Sequence, residues 1–533
     1  MAHADIISVP DHVSIQGDSN GWEAMERDSG GHWAWKGVNV ETAKEKEQLL
    51  VTLYSGKIPV KRIILKWRVN LLPGARMLGD HWERGYGDLE WRGVVPERIM
   101  PWYFLMYDGK ATHGYGVRTQ PNAMCFWMVD EKYISLCLDV RCGGEGVTLG
   151  GRTLEVAAVI SRQGKENETP FAAASAFAKM LCDNPLLPEQ PVYGGNNWYY
   201  AYGKSSHEQI LRDAELIASL SPANGNRPFM VIDDGWQLCH YKLCNGGPWS
   251  CGNYQFPDMQ RLAGQMKVEG TKPGLWIRPL MTSEKVPESW QLPERRFRAQ
   301  ERDQYLDPSV PEVLDLVSRD ISRIASWGYK LVKHDFSTYD ILGRWGFEMD
   351  SRLTNNGWHF SDRSKTTAEV ITGLYRTIRR AAGNMLVLGC NTVGHLGAGI
   401  FELQRTGDDI SGVQWERTRK MGINTLAFRM NQHGAFFAAD ADCAAITEKV
   451  PWHLSEQWLR LLSLSGTPLF VSAAPEAMGK EQTDAVKKAF DAASRPAPAG
   501  EPLDWAYSSC PAKWKLGKEI VEFDWHGNNE SIL

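Results

Sequence analysis

Beyond residue 190 the chain settles into an alternation that few architectures accommodate: a short apolar run, a long amphipathic stretch, then another apolar run. The apolar runs fall at about 192–198, 228–234, 273–278, 329–335, 385–391, 400–405, 423–429 and 467–472. Helical periodicity occupies most of the gaps, at Ser206 to Leu220, Pro308 to Trp327, Thr366 to Ala382, Gln414 to Gly422 and Leu454 to Leu464. Eight such units predict a (β/α)8 barrel, an α/β fold, over 190–495. An open doubly wound sheet is the alternative, but it would carry a glycine-rich phosphate turn after its first strand, and Gly194-Gly195-Asn196-Asn197-Trp198 is not one. The gap between the fifth and sixth runs, about nine residues, is short for a crossover, so a boundary is misplaced there or the unit is degenerate.

Residues 1–185 read differently. Alternating or β-branched runs at Leu49 to Leu53, Val60 to Val69, Trp102 to Tyr107, Met124 to Val129, Ile134 to Val140 and Thr153 to Ile160 predict an all-β sandwich, with one helix at Pro170 to Leu181. Three prolines within Asp183 to Pro191 mark a linker. After a helical stretch from Glu481 to Ser494, residues 496–533 are expected to form a short β appendage, with a strand at Ile520 to Phe523.

Composition narrows the function classes. A net charge of −5 without a basic run offers nothing to nucleic acid, and no apolar stretch reaches the roughly 18 residues of a membrane span. The first residues lack a secretory signal, which implies a cytoplasmic location if this terminus is native and a periplasmic or secreted one if a signal preceded it. Cys239, Cys244 and Cys251 cluster without a zinc-binding spacing, and are read as unpaired or locally bridged thiols. The 22 Trp, 17 Tyr and 17 Phe supply flat faces of the kind on which sugar rings stack. A homo-oligomer is compatible with all of this.

The run Tyr329 to Phe336 ends in Lys333 and Asp335, and the strand ends at Asp233-Asp234 and Asp408-Asp409 repeat the acidic theme. In a barrel these residues, with Asn391, Arg405, Asp440 and Asp442, crowd one rim, where barrel enzymes place their chemistry. Such carboxylates hold a divalent cation or run acid–base and nucleophilic chemistry on a polyol. Neither a phosphate turn for magnesium nor a histidine pair at zinc spacing is present, so no metal and no cofactor is expected. Glycoside chemistry leads, because it needs two carboxyl groups across one scissile bond.

Val231-Ile232-Asp233-Asp234-Gly235-Trp236-Gln237, Gly247-Pro248-Trp249, Gln255-Phe256-Pro257, Gly274-Leu275-Trp276-Ile277-Arg278-Pro279, Lys333-His334-Asp335 and Arg405-Thr406-Gly407-Asp408-Asp409 together resemble the α-galactosidase clan of glycoside hydrolase families 36, 27 and 31. Family 36 is the nearest, because its members carry an N-terminal β-domain and Asp-Asp-Gly-Trp at the second strand. The resemblance implies a retaining α-glycosidase, most simply an α-galactosidase acting on an oligosaccharide or glycoside. It makes Asp335 the nucleophile and Asp409, four residues after the arginine, the acid/base. Retention places the two carboxyls about 5–5.5 Å apart. By the same resemblance Asp233 and Asp234 grip sugar hydroxyls, Lys333 donates to a hydroxyl and to Asp335, Arg405 lies near the 2-hydroxyl, Trp198 offers a stacking face and Asp442 joins the substrate-binding set.

His334, Phe336-Ser337-Thr338 and Ala441 depart from the family pattern, and Asn391 stands where family 27 has a specificity-bearing glutamate. The competing readings are a raffinose-synthase-like transglycosylase using the same two aspartates, a non-catalytic carbohydrate-binding barrel, and a carboxylate metal enzyme.

Overall fold

The computed structural model describes residues 4–17, 21–28, 32–71, 73–240, 245–294 and 304–526. Among the described residues the N-terminal part forms two antiparallel sheets of six and eight strands. Strand Arg62–Arg68 shows why: Ile63, Leu65 and Trp67 are buried while their neighbours along the strand are less so, the period-2 pattern of a sheet with one face in a core. The sheets meet through Phe104 and Trp127, whose rings lie 5.7 Å apart. Helix Pro170–Leu181 begins at Thr169, whose side chain accepts from Ala172 N, and Pro170 takes the first turn, where its missing N–H is not needed.

The second part is a parallel barrel of eight staves. They are β1 (Tyr193–Asn196), β2 (Phe229–Ile232), β3 (Lys272–Ile277), β4 (Leu331–His334), β5 (Leu386–Gly389), β6 (Leu403–Arg405), β7 in two segments (Ala438–Asp440 and Cys443–Ile446) and β8 (Leu469–Ala473). Each pairs with the next, and β1 pairs with β8 to close the ring. The first segment of β7 pairs with β6 and the second with β8. The break falls at Asp442, whose φ of +74° turns the chain between the two registers. Its interior is packed by Val231, Leu331, Leu388, Leu403 and Phe470, so the barrel has a solid floor.

Two sequence expectations are corrected. Residues 423–429 are helical: Arg419–Asn424 is a π-helical turn that runs into the α-helix Thr425–Arg429. The seventh stave is formed instead by Ala438–Asp440 and Cys443–Ile446. The short fifth unit is a degenerate one, with a single turn of helix, Gly394–Gly397, between β5 and β6.

The helices otherwise form near their expected places. Helix Thr367–Ala382 starts with a reciprocal cap between Thr366 and Glu369. Helix Lys480–Ala493 packs on Trp452–Leu464, and the last described residues pair into a three-stranded sheet, Glu501–Pro502, Lys513–Leu516 and Glu519–Glu522. No helix among the described residues is long and apolar enough to cross a membrane. Cys239 is disulfide-bonded and Cys251 is free, while Cys244 lies outside the described residues.

Candidate active site

Period-2 alternation in β4 sends Lys333 and Asp335 to the inside of the barrel and His334 outward. His334 is fully buried between the rings of Tyr375 and Phe401, each 5.7 Å away, and burial pushes its pKa down to about 3. It is a neutral packing residue.

Asp335 sits at the centre of the rim. Its Oδ2 accepts from Trp276 Nε1 at 3.0 Å, and its Oδ1 accepts from the backbone N–H groups of Phe336 at 2.8 Å and Asn391 at 3.1 Å. Burial opposes ionisation here, but the charges of Lys333 and Arg84 and these hydrogen bonds outweigh it and hold the carboxyl below its ordinary range. The Phe336 donor is aimed by an unusual backbone: φ is +63°, a left-handed conformation that a bulky residue adopts only where its surroundings impose it. The Phe336 ring is held by Trp276, Trp345 and the guanidinium of Arg278, which lies 4.2 Å from its centroid. Arg278 is fixed in turn by a two-pronged pair with buried Asp340.

Lys333 bonds to Asp233 Oδ2 at 2.7 Å and reaches Asp335 through its charge. Asp233 also accepts from Asn196 at 2.8 Å and from the backbone N–H of Asp234 at 2.9 Å. Asp234 accepts from Gln237 at 2.6 Å, Asn245 at 3.2 Å and His240 at 3.2 Å. Half-buried Trp198 follows β1, its backbone N–H donating to Asn196 Oδ1 at 2.8 Å.

Across the rim, Asp408 and Asp409 differ sharply. Asp408 is clamped by Arg84 and Arg417, each at 2.8 Å, whereas Asp409 is 40% exposed and touches Arg405 at 3.3 Å and Arg84 at 3.8 Å. Arg405 is anchored from below by Asp442 at 2.8 Å. Asp442 is buried, and the same oxygen takes the Tyr199 hydroxyl and the Ile410 N–H, so its side chain serves Arg405 from within the protein. Asn391 is likewise engaged inside: it accepts from Tyr339 N–H at 3.0 Å and donates to Glu83. Asp440 lies deeper still, beside a cavity of about 10 Å³ also bordered by Asn196, Lys333 and Arg405. Burial raises its pKa to about 7, against the pull of Arg405.

Sequence reasoning missed the contribution of the N-terminal part. Loop 80–89 drops onto the barrel rim, where Gly85 pairs with the chain at Gly407: Gly85 N–H bonds to Thr406 O at 2.8 Å and Asp408 N–H to Gly85 O at 2.9 Å. A side chain at Gly407 would place Cβ 2.1 Å from Met421 O, so only glycine admits this contact. The loop delivers Glu83 and Arg84 to the site. Its composition, Trp82-Glu83-Arg84-Gly85-Tyr86-Gly87, was the available signal. Arg84 and Arg405 each keep a buried Nε without a hydrogen-bond partner among the described residues.

Among the described residues no group of three His, Cys, Asp or Glu is arranged to hold a metal ion. A cavity of about 320 Å³ bordered by Val192, Ala438 and Thr467 opens at the opposite end of the barrel, away from the carboxylates.

No protein-family model matches the chain. In three dimensions it resembles the α-galactosidase TtGalA from Thermus thermophilus, in complex with p-nitrophenyl α-D-galactopyranoside, with a TM-score of 0.61 at 16% identity over 91% of this chain and 96% of that one. The GH36 α-galactosidase AgaA from Geobacillus stearothermophilus gives a TM-score of 0.58 at 15% identity, over 89% of this chain and 69% of that one. For AgaB from the same organism the values are 0.57, 15%, 90% and 70%. The fold is that of the GH36 α-galactosidases, a TIM barrel behind an N-terminal β-sandwich.

Proposed function

We propose that the protein is a retaining α-glycosidase, with α-galactosides as its first candidate substrates. The observation that carries this reading is the contrast between two carboxylates facing one rim. Asp335 is buried, held ionised and fixed by donors on both oxygens, while Asp409 is half-exposed and free of the tight pairs that occupy Asp408. One is prepared to attack and the other is accessible for proton exchange with a leaving group and with water.

In this mechanism Asp335 attacks the anomeric carbon as Asp409 gives its proton to the departing oxygen. The products of that step are a glycosyl ester on Asp335 and the free leaving group. Asp409, now anionic, takes a proton from water, which attacks from the opposite face, and two inversions give net retention. Asp233, Asp234 and Lys333 bind the hydroxyls of the transferred sugar: ionised carboxylates accept from several hydroxyls, and the ammonium donates. Trp198 supplies a stacking face, and Arg405, held by Asp442, donates to the ring substituent nearest Asp409. The solved relatives support the choice of sugar, since TtGalA is described with an α-galactoside and with stachyose.

The test is a panel of aryl α-glycosides, comprising the galactoside, N-acetylgalactosaminide and glucoside with a β-L-arabinopyranoside, assayed alongside Asp335→Asn. Turnover of one of these by the wild type and its loss in the variant is the expected result. Near-normal turnover by Asp335→Asn would remove the nucleophile assignment, and a silent panel would remove the reading.

A further inference from the structure

Between loop 80–89 and the segment from Gly346 to Met349 lies a cavity of about 260 Å³, bordered by none of Asp233, Asp335, Asp408 or Asp409. Its volume falls just under the range of about 300–1,000 Å³ usual for sites of drug-sized ligands, which suits a smaller one. Asp80, His81, Asp88, Arg92 and Arg98 supply its charged lining.

These groups are matched but for one. Asp80 pairs with Arg429 at 2.7 Å, Asp88 bonds to His81 at 2.7 Å and Arg92 pairs with Glu90 at 2.7 Å. Arg98 makes no ion pair among the described residues: its half-buried guanidinium donates to two backbone carbonyls, Met77 O at 3.2 Å and Glu90 O at 3.4 Å, which leaves most of its N–H groups unused. Burial lowers its pKa to about 10 and the charge of Arg92 adds to this, while the charges of Glu90 and Asp88 pull the other way without reversing it. A guanidinium withdrawn from water is ordinarily met by an anion, and here no described residue supplies one.

The lining says what kind of anion fits. The fork of a guanidinium matches the paired oxygens of a phosphate or carboxylate, and Arg92, 45% exposed on the border, adds a second positive charge. Leu89, Ile99 and Met349 furnish carbon surface, and Asp88, 56% exposed, offers a carboxylate to hydroxyl donors. We propose that Arg98 anchors a second ligand site, which takes an oxyanion, phosphate monoester or carboxylate, carried on a small hydroxylated molecule. Its occupant touches the same loop that carries Glu83 and Arg84 to the barrel rim. The site stands independently of the α-glycosidase reading.

Isothermal titration calorimetry on the full chain, at constant ionic strength in chloride buffer, tests this with glucose 6-phosphate, glucuronate and glucose. At least one of the two hexose anions should bind with a Kd below about 1 mM, and which of them does so identifies the oxyanion. Arg98→Met should weaken that binding about tenfold or more, and Arg98→Lys should fall between, because an ammonium keeps the charge and loses the fork. Arg92→Gln, a change at an exposed side chain, should weaken it about threefold. Any heat from glucose should be the same in the wild type and the Arg98 variants. Absence of such binding by both hexose anions overturns the site. So does binding that a folded Arg98→Met leaves unchanged, or that Arg92→Gln leaves unchanged where Arg98→Met does not fold.

Discussion

Arg84 of the N-terminal loop donates to Asp408 at 2.8 Å and lies 3.8 Å from Asp409, which joins the β-sandwich to the barrel through the site itself. Its charge also helps hold Asp335 ionised. Replacing it with methionine leaves Asp408 with Arg417 alone and removes a cation from Asp335. The Asp335 carboxyl should then bind its proton more readily, so the acid limb of the kcat/KM profile should move to higher pH. Breaking a pair this buried should also lower stability by about 3 kcal/mol. A pH–rate profile of Arg84→Met with an unmoved acid limb would separate Arg84 from the chemistry.

The two neighbouring aspartates should respond unequally. Asp409→Asn is expected to reduce kcat by about 10²–10⁴ on substrates with poor leaving groups and far less on a glycosyl fluoride, which needs no proton. Asp408→Asn loosens its pairs with Arg84 and Arg417 and should depress both substrates alike, together with Tm. Interchanged results would transfer the acid role to Asp408.

His334 makes acid instability measurable. Its folded pKa is pushed down to about 3 by burial, against about 6.5 in an unfolded chain, so the unfolded state takes up the proton first. The stability tied to neutral His334 is therefore complete above about pH 6.5 and is lost as pH falls toward 3. Neither ring nitrogen has a hydrogen-bond partner among the described residues, so His334→Phe removes no hydrogen bond. That variant should match the wild type in Tm at pH 7.5 and exceed it at pH 5. Parallel Tm curves across this range would contradict the assignment.

Asp440 carries the opposite sign. Burial raises its folded pKa to about 7, so the folded state holds a proton that the unfolded chain releases from about pH 4 upward. Its contribution to stability is full below pH 4 and is lost as pH rises through 7. Asp440→Asn keeps an acceptor for the Asp442 N–H, 3.1 Å away, and cannot ionise. Thermal unfolding should show the variant equal to the wild type near pH 4 and more stable at pH 8.

Much of the barrel was legible because apolar runs and helical periods recur, and the acidic strand ends were legible because charged residues at the close of an apolar run stand out. The exception at 423–429 is instructive. Ile423 to Arg429 is buried throughout, and a short segment covered on all sides has no polar face by which a helix could be told from a strand. The true seventh stave is mostly alanine and carries a single β-branched residue, Ile446, so the enrichment that announces strands is missing.

The sequence by itself determined the repeat, the rim on which carboxylates gather and the placement of Lys333 and Asp335 on one face of a strand, because these follow from periods of two and 3.6 residues within a single segment. Tertiary structure alone decided that Lys333 pairs with Asp233, that Asn391 turns to Glu83 and Asp442 to Arg405, and that Asp409 rather than Asp408 is left accessible. Those outcomes depend on which distant loop meets the rim. Glu83 and Asn391 are 308 residues apart in the chain, and no local pattern records a contact between segments so distant in sequence.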